Sequence, residues 1–184
     1  PGEYYIDRVN GLLYVWPPTS VGRAVVSQAR GLIRASNLNY VTFQGITFEV
    51  SRSTAIVIDG GNHFKVVGST IRNTGERAVQ VNGGVEHEVY GCDIYATGAG
   101  GIHMSGGDRT ILAPSGHNAE NNHVHHYARR KRTYMPAIGI HGVGGRIAHN
   151  LIHDGPHMAL TASGNDHILE YNEIHNVVYE SRDA

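Results

Sequence analysis

Cysteine is almost absent from this sequence. The single Cys92 excludes an internal disulfide and says nothing about redox compartment. Proline is scarce at 6 residues and charged residues make up only 17 %, too few Glu and Lys for long solvated helices. The formal net charge is −1, so no global field recruits nucleic acid or an anionic membrane. There is no run of about 18 apolar residues, so no membrane span is expected. An initiator Met and a signal peptide are also missing: the chain runs from "PGEYYIDRV" to "ESRDA", as expected of a portion cut from something longer.

Glycine and histidine are abundant instead, at 24 and 13 of 184 residues. Many tight turns between short strands fit that mixture better than long helices do.

The strands repeat. Phe48, Ile71, Ile94, Val124, Ile152 and Ile174 follow one another at intervals of 23, 23, 30, 28 and 22 residues. Five residues before each stands another small or apolar residue: Phe43, Val66, Val89, Ala119, Ile147 and Leu169. A second register runs through "AIVIDG" (55–60), "AVQVNG" (78–83), "GIHMSG" (101–106), "GIHGVG" (139–144) and "ALTASG" (159–164). A period near 23 with three short strands per unit and turn residues between them predicts an all-β solenoid, a right-handed parallel β-helix of about six coils. At a strand spacing of about 4.8 Å, six coils span roughly 25–30 Å.

Alternation along a strand then assigns directions. Ile56, Val79, Ile102, Ile140 and Leu160 point inward, leaving Val57, Gln80, His103, His141 and Thr161 outward. Two positions before the first aligned set come Ile46, Ser69, Cys92, Asn122, Asn150 and Asn172. The three asparagines predict a hydrogen-bonded ladder along one turn, with Cys92 a structural filler in the same column. Two regions depart from the repeat. Residues 1–18 alternate around Asn10-Gly11 and predict a hairpin, with Trp16 and the tyrosines packing on the first coil; the β-helix is assigned 19–184. Residues 107–117 and 126–136 are expected to bulge out as loops, where function usually sits on a rigid scaffold.

Several residues carry possible chemistry. His103 and His141, expected side by side on neighbouring coils, are an aromatic stack, contacts for a substrate, or metal ligands. The column Glu49, Arg72, Tyr95, His125, His153, His175 places three histidines in line, which resembles a zinc site. A vertical line of ligands gives poor tetrahedral geometry, so the column is read as structural and no metal site is assigned. Asp154, in "HDGPH", is expected in a turn at the lip of the face carrying His103 and His141, where Asp before Gly is also ordinary turn chemistry. Asp183 is expected to reach the same edge from the next coil. Carboxylates on adjacent or alternate coils would stand about 5 or 10 Å apart, bracketing the spacings of retaining and inverting glycosidases. Asp108 and Glu180 are further acidic candidates. In "YARRKRTY" (127–134), Arg129 and Arg132 are either part of a solvated charge run or a clamp for uronate carboxylates or sulfates.

The stretch from "GGDRTILAPSGH" through "AHNLIHDGPHMA" to "VVYESRDA", with the leading "PGEYYIDRVNGLLYVWPP", resembles the bacterial β-helix enzymes grouped around glycoside hydrolase family 141, known for fucosidase and xylanase activities. The resemblance covers nearly the whole chain. It implies secreted or periplasmic action on plant or algal polysaccharide, with acidic catalytic residues on the helix face. Asp154 and His157 match its "HDxPH" segment; Glu180, Ser181 and Asp183 match an "ES-D" segment in which Arg182 replaces an acid.

The leading expectation is therefore a glycoside hydrolase with Asp154 and Asp183 as catalytic carboxylates. His103, His141, His157, Glu180, Arg129 and Arg132 are the expected contacts with a polysaccharide or oligosaccharide. No cofactor is expected, although a polysaccharide lyase or uronate epimerase, the second reading, could use Ca²⁺. A third reading is a non-catalytic glycan-binding or structural β-helix. The open coil ends are expected to be capped by missing segments, another domain or another copy.

Overall fold

A computed structural model describes residues 3–17 and 25–180. Among them there is no helix, and so none long and apolar enough to cross a membrane. Tyr4–Asp7 and Leu12–Val15 form an antiparallel hairpin, and eighteen further strands wind into six coils of three. Each coil contributes one strand to each of three six-stranded parallel sheets, the predicted β-helix.

The first face stacks Ile33–Ser36, Ile56–Asp59, Val79–Asn82, Ile102–Gly106, Ile138–Val143 and Leu160–Asn165. The second stacks Thr42–Gln44, Lys65–Val67, Glu88–Tyr90, Asn118–Glu120, Arg146–Ala148 and Ile168–Glu170. The third stacks Thr47–Ser51, Thr70–Thr74, Asp93–Tyr95, His123–His125, Leu151–Gly155 and Glu173–Val177. Both predicted apolar columns are in register, Phe43 to Leu169 on the second face and Phe48 to Ile174 on the third. They fill the interior through the fifth coil. Leu169 and Ile174 in the sixth are 42 % and 41 % exposed.

Only two residues separate the second and third faces. The first takes a left-handed φ, a conformation that glycine adopts without strain: Gly45, Gly68 and Gly91 in the early coils, then Asn121, His149 and Tyr171. The second is the predicted ladder. Asn150 Oδ1 accepts the backbone N–H of Asn122 at 2.9 Å, and Asn172 Oδ1 accepts that of Asn150 at 3.0 Å. Their amides donate to Ala119 and Ile147 carbonyls, so both sides of each ladder amide have partners. Cys92 continues this column, and burial pushes its thiol up to about 11, which makes it inert.

Two expectations need correction. Ile102 pairs with Ile138 rather than Ile140, a shift of two residues. Either register buries apolar side chains, because both isoleucines have the same parity; the glycines decide it. The observed register aligns Gly106, Gly142 and Gly164, and a Cβ on Gly142 or Gly164 would stand 1.9 Å from the carbonyl oxygen below it. His103 therefore lies beside Gly139 and His141 beside Ser105. The hairpin forms as expected, its turn held by Asp7 Oδ1, which accepts the N–H groups of Val9 and Asn10 at 3.0 Å. It does not bury its aromatics: Trp16 is 60 % exposed, and Tyr4 and Tyr14 are exposed as well. A two-stranded ribbon has no interior of its own, so residues on both of its faces stay wet.

Candidate functional site

Functional side chains collect on the outside of the third face. Alternation sorts its outward residues into two columns. One reads Thr70, Asp93, His123, Leu151 and the other Arg72, Tyr95, His125, His153, His175 across successive coils. The expected stack is present: the rings of Tyr95 and His125 are 5.0 Å apart, those of His125 and His153 5.2 Å, and those of His153 and His175 4.8 Å. Unforeseen from that column alone is His123, which stands beside it and stacks on His125 with ring centroids 4.3 Å apart.

One position further, Ala96, His126 and Asp154 all have left-handed φ near 50°, which bends the chain out of the third face. Asp154 is thus the penultimate residue of the strand Leu151–Gly155 and not a turn residue. The following glycine serves packing: a Cβ on Gly155 would lie 2.0 Å from the hydroxyl of buried Tyr127, which donates to the Met158 carbonyl at 2.9 Å.

Asp154 is well supported as an anion. Tyr179 donates its hydroxyl to Oδ1 at 2.8 Å, and His153 Nδ1 lies 2.8 Å from Oδ2, where its N–H donates. These two bonds hold the carboxyl below its ordinary range, the Tyr179 bond contributing most, and the carboxylate in turn raises the Tyr179 phenol. His126 Nε2 approaches the same oxygen at 3.7 Å.

The expected loop after His126 forms one wall of a groove over this carboxylate. Its base is pinned to the coil below, where the N–H groups of Ala128 and Arg129 donate to the Ala99 and Thr97 carbonyls at 2.7 and 2.9 Å. Arg129, Arg132, Tyr95, His126, Asp154 and Tyr179 line the groove. Arg132 grips Glu180 in a two-pronged ion pair, which holds the Glu180 carboxyl low. Lys131 turns away to Glu76 at 2.8 Å.

The structure thus brings Asp154, Glu180, Arg129 and Arg132 together, and leaves other expected residues elsewhere. Asp183 lies outside the described residues. His157 is 1 % exposed against the ring of Tyr134, out of reach of a surface ligand. Asp108 caps its own turn, accepting the Thr110 N–H at 2.8 Å. His103 and His141 sit on the first face, whereas the side-chain partners of Asp154 belong to the third face and the segment after it. They touch diagonally, with ring centroids 4.9 Å apart. Burial lowers His103 to about 4, and His141 Nδ1 meets the Ser163 hydroxyl.

Sequence reasoning missed Asp93, His123, His126 and Tyr179. The signal for Asp93 and His123 was present: "HVHH" puts His123 and His125 on one strand face by their spacing of two, and Asp93 occupies the position of His123 one coil earlier. Asp93, His123 and His125 also form the one group of described residues whose donor atoms could hold a metal, all within 4.8 Å of one another.

A family profile described as "Right handed beta helix region" matches residues 31–115. With the three parallel sheets, it supports a right-handed β-helix, a fold common among carbohydrate-active enzymes. No curated protein and no solved structure matches the chain.

Proposed function

We propose that the protein is a carbohydrate-active enzyme that cleaves glycosidic bonds of a plant or algal polysaccharide outside the cell or in the periplasm. The observation that carries this reading is the groove at Asp154: an ionised carboxylate with two donors, flanked by Tyr95 and by Arg129. Asp154 acts as base or nucleophile. Hydrolysis also needs a proton donor, and neither Asp154 nor Glu180, the partner of the groove residue Arg132, suits that role, because both are held in the charged form. Asp183 is the proposed acid. Replacing Asp154 or Asp183 by Asn should each slow turnover by about a hundredfold or more. Near-normal rates in both variants overturn the reading.

The same two ionised carboxylates favour a second reading, elimination at a uronic acid. A lyase needs a base and a cation to neutralise the substrate carboxylate, for which Arg129 or a Ca²⁺ would serve, and needs no carboxylic acid. Incubation with polysaccharide separates the two. New reducing ends without ultraviolet absorbance mean hydrolysis, absorbing unsaturated ends mean elimination, and binding without product leaves a glycan-binding module.

A further inference from the structure

The imidazoles of the third face form two lines between Asp154 and Asp93, one running through His153 and His123 and the other through His126 and His125. In the first, Asp154 Oδ2 accepts from His153 Nδ1, so a neutral His153 presents a bare Nε2. His123 Nε2 lies 2.8 Å from that nitrogen and must carry the proton between them, which leaves His123 Nδ1 bare, 3.2 Å from Asp93 Oδ1. In the second, His126 Nε2 faces Asp154 and its Nδ1 lies 2.7 Å from His125 Nδ1. When His125 donates to His126, its own Nε2 is bare, 3.3 Å from the same Asp93 oxygen.

In that arrangement three acceptors face one another. Asp93 Oδ1 is shut off from solvent and has no hydrogen-bond partner, although two nitrogens lie within 3.3 Å. A buried carboxylate oxygen left this way is costly unless a cation stands among the lone pairs. The 3.2 and 3.3 Å from Asp93 Oδ1 to the two nitrogens fit one, since ligands about 2.0–2.1 Å from a tetrahedral ion are about 3.3 Å from each other.

We propose that Asp93 Oδ1, His123 Nδ1 and His125 Nε2 bind a divalent transition-metal ion of the zinc class. Two imidazoles with one carboxylate favour such an ion over Ca²⁺, which takes six or more oxygens. The ligands come from neighbouring columns, which supplies the angular spread that the vertical histidine column lacks. Three protein ligands leave a fourth position for water. His153 and His126 orient the ligand rings from behind, as second-layer partners do in zinc proteins. The site does not depend on the glycosidic reading.

Calorimetric titration of the whole chain with Zn²⁺ alone, and visible absorption with Co²⁺, test it. One ion per chain and the intense Co²⁺ bands of a four-coordinate site are expected. Asp93→Ala and His123→Ala should each weaken binding at least tenfold, and His153→Ala by about tenfold through loss of orientation. His149→Ala, whose ring stacks on Tyr171 at the turn before the third face, should change nothing. No binding by the parent chain, tighter binding of Ca²⁺ than Zn²⁺, or equal losses in His149→Ala and His123→Ala would each overturn the assignment. Thermal unfolding without metal shows whether each variant is folded.

Discussion

Two histidine stacks run along this solenoid, one inside and one outside, and the same repeat produces both. Inside, where the first face turns toward the second, His87 and His117 lie on successive coils with rings 5.1 Å apart. Each is wired to the backbone: the Phe64 N–H donates to His87 Nδ1 at 3.1 Å and the His87 N–H to His117 Nδ1 at 3.3 Å. Outside, His125, His153 and His175 stack as closely, but their partners are side chains, Asp93, His126 and Asp154. Stacking is thus the solenoid's signature and not a sign of function. What separates a functional histidine from a structural one is whether its nitrogens bond to the backbone or to other titratable groups.

The largest expected consequence belongs to the inner stack. Burial lowers His117 to about 4 and lowers His87 as well, so both are neutral in the folded chain. The unfolded chain takes up protons below the ordinary histidine value of about 6.5, where it binds more protons than the folded one. The stability this confers is complete above pH 6.5 and is lost as pH falls toward 4. His117 alone should remove about 3 kcal/mol over that window, with His87 acting in the same sense. Denaturant midpoints measured between pH 4 and 7 check this, and His117→Leu should flatten the dependence by about one proton. An unchanged profile in that variant would place the titration elsewhere.

The asparagine ladder ranks next. Asn150→Ala leaves the Asn122 N–H and the Ala119 carbonyl without partners in the interior. Each such loss costs about 1–3 kcal/mol, so a fall of about 2–4 kcal/mol in unfolding free energy is expected. Asn172→Ala, in the last described coil, should cost less because water can reach the freed groups.

The ladder was readable in the sequence for the reason the outer stack was: a fixed offset of five residues ties three columns to one register, and any residue's neighbours follow by subtraction. The register of the fifth coil was not readable, since Ile138 and Ile140 both point inward and only the aligned glycines distinguish them. Within the site, Asp154 stood out by its type and Arg132 and Glu180 by their charge. Their pairing depends on the path of a loop that has no period. His157 looked available in "HDGPH" because nothing in that string shows Tyr134 covering it. Asp93 and His123 were missed because one outward column was read and its neighbour was not.

The groove ion pair should have a moderate effect. Arg132→Ala frees Glu180 on an exposed edge and should leave stability nearly unchanged, because solvent screens an exposed pair. If the guanidinium positions a polysaccharide, the KM for an anionic glycan should rise several-fold while that for a neutral one stays put. Equal effects on both would reduce the pair to a loop clasp.

The smallest effect is expected at the end of the outer stack. His175 lies flat on His153, with ring centroids 4.8 Å apart and planes 6° from parallel, the closest-aligned pair on that face. An aromatic pair of this kind contributes about 0.5–1.5 kcal/mol when buried, but His175 is exposed, and water replaces much of what the ring loses. His175→Ala should therefore shift unfolding by about 0.5 kcal/mol or less. His153→Ala should cost more, since it breaks bonds to His123 and to Asp154 together. The ratio of the two is informative. If stacking held the outer column together, removing either ring would cost about the same, whereas a column organised by its hydrogen bonds to Asp154 loses much more with His153 than with His175.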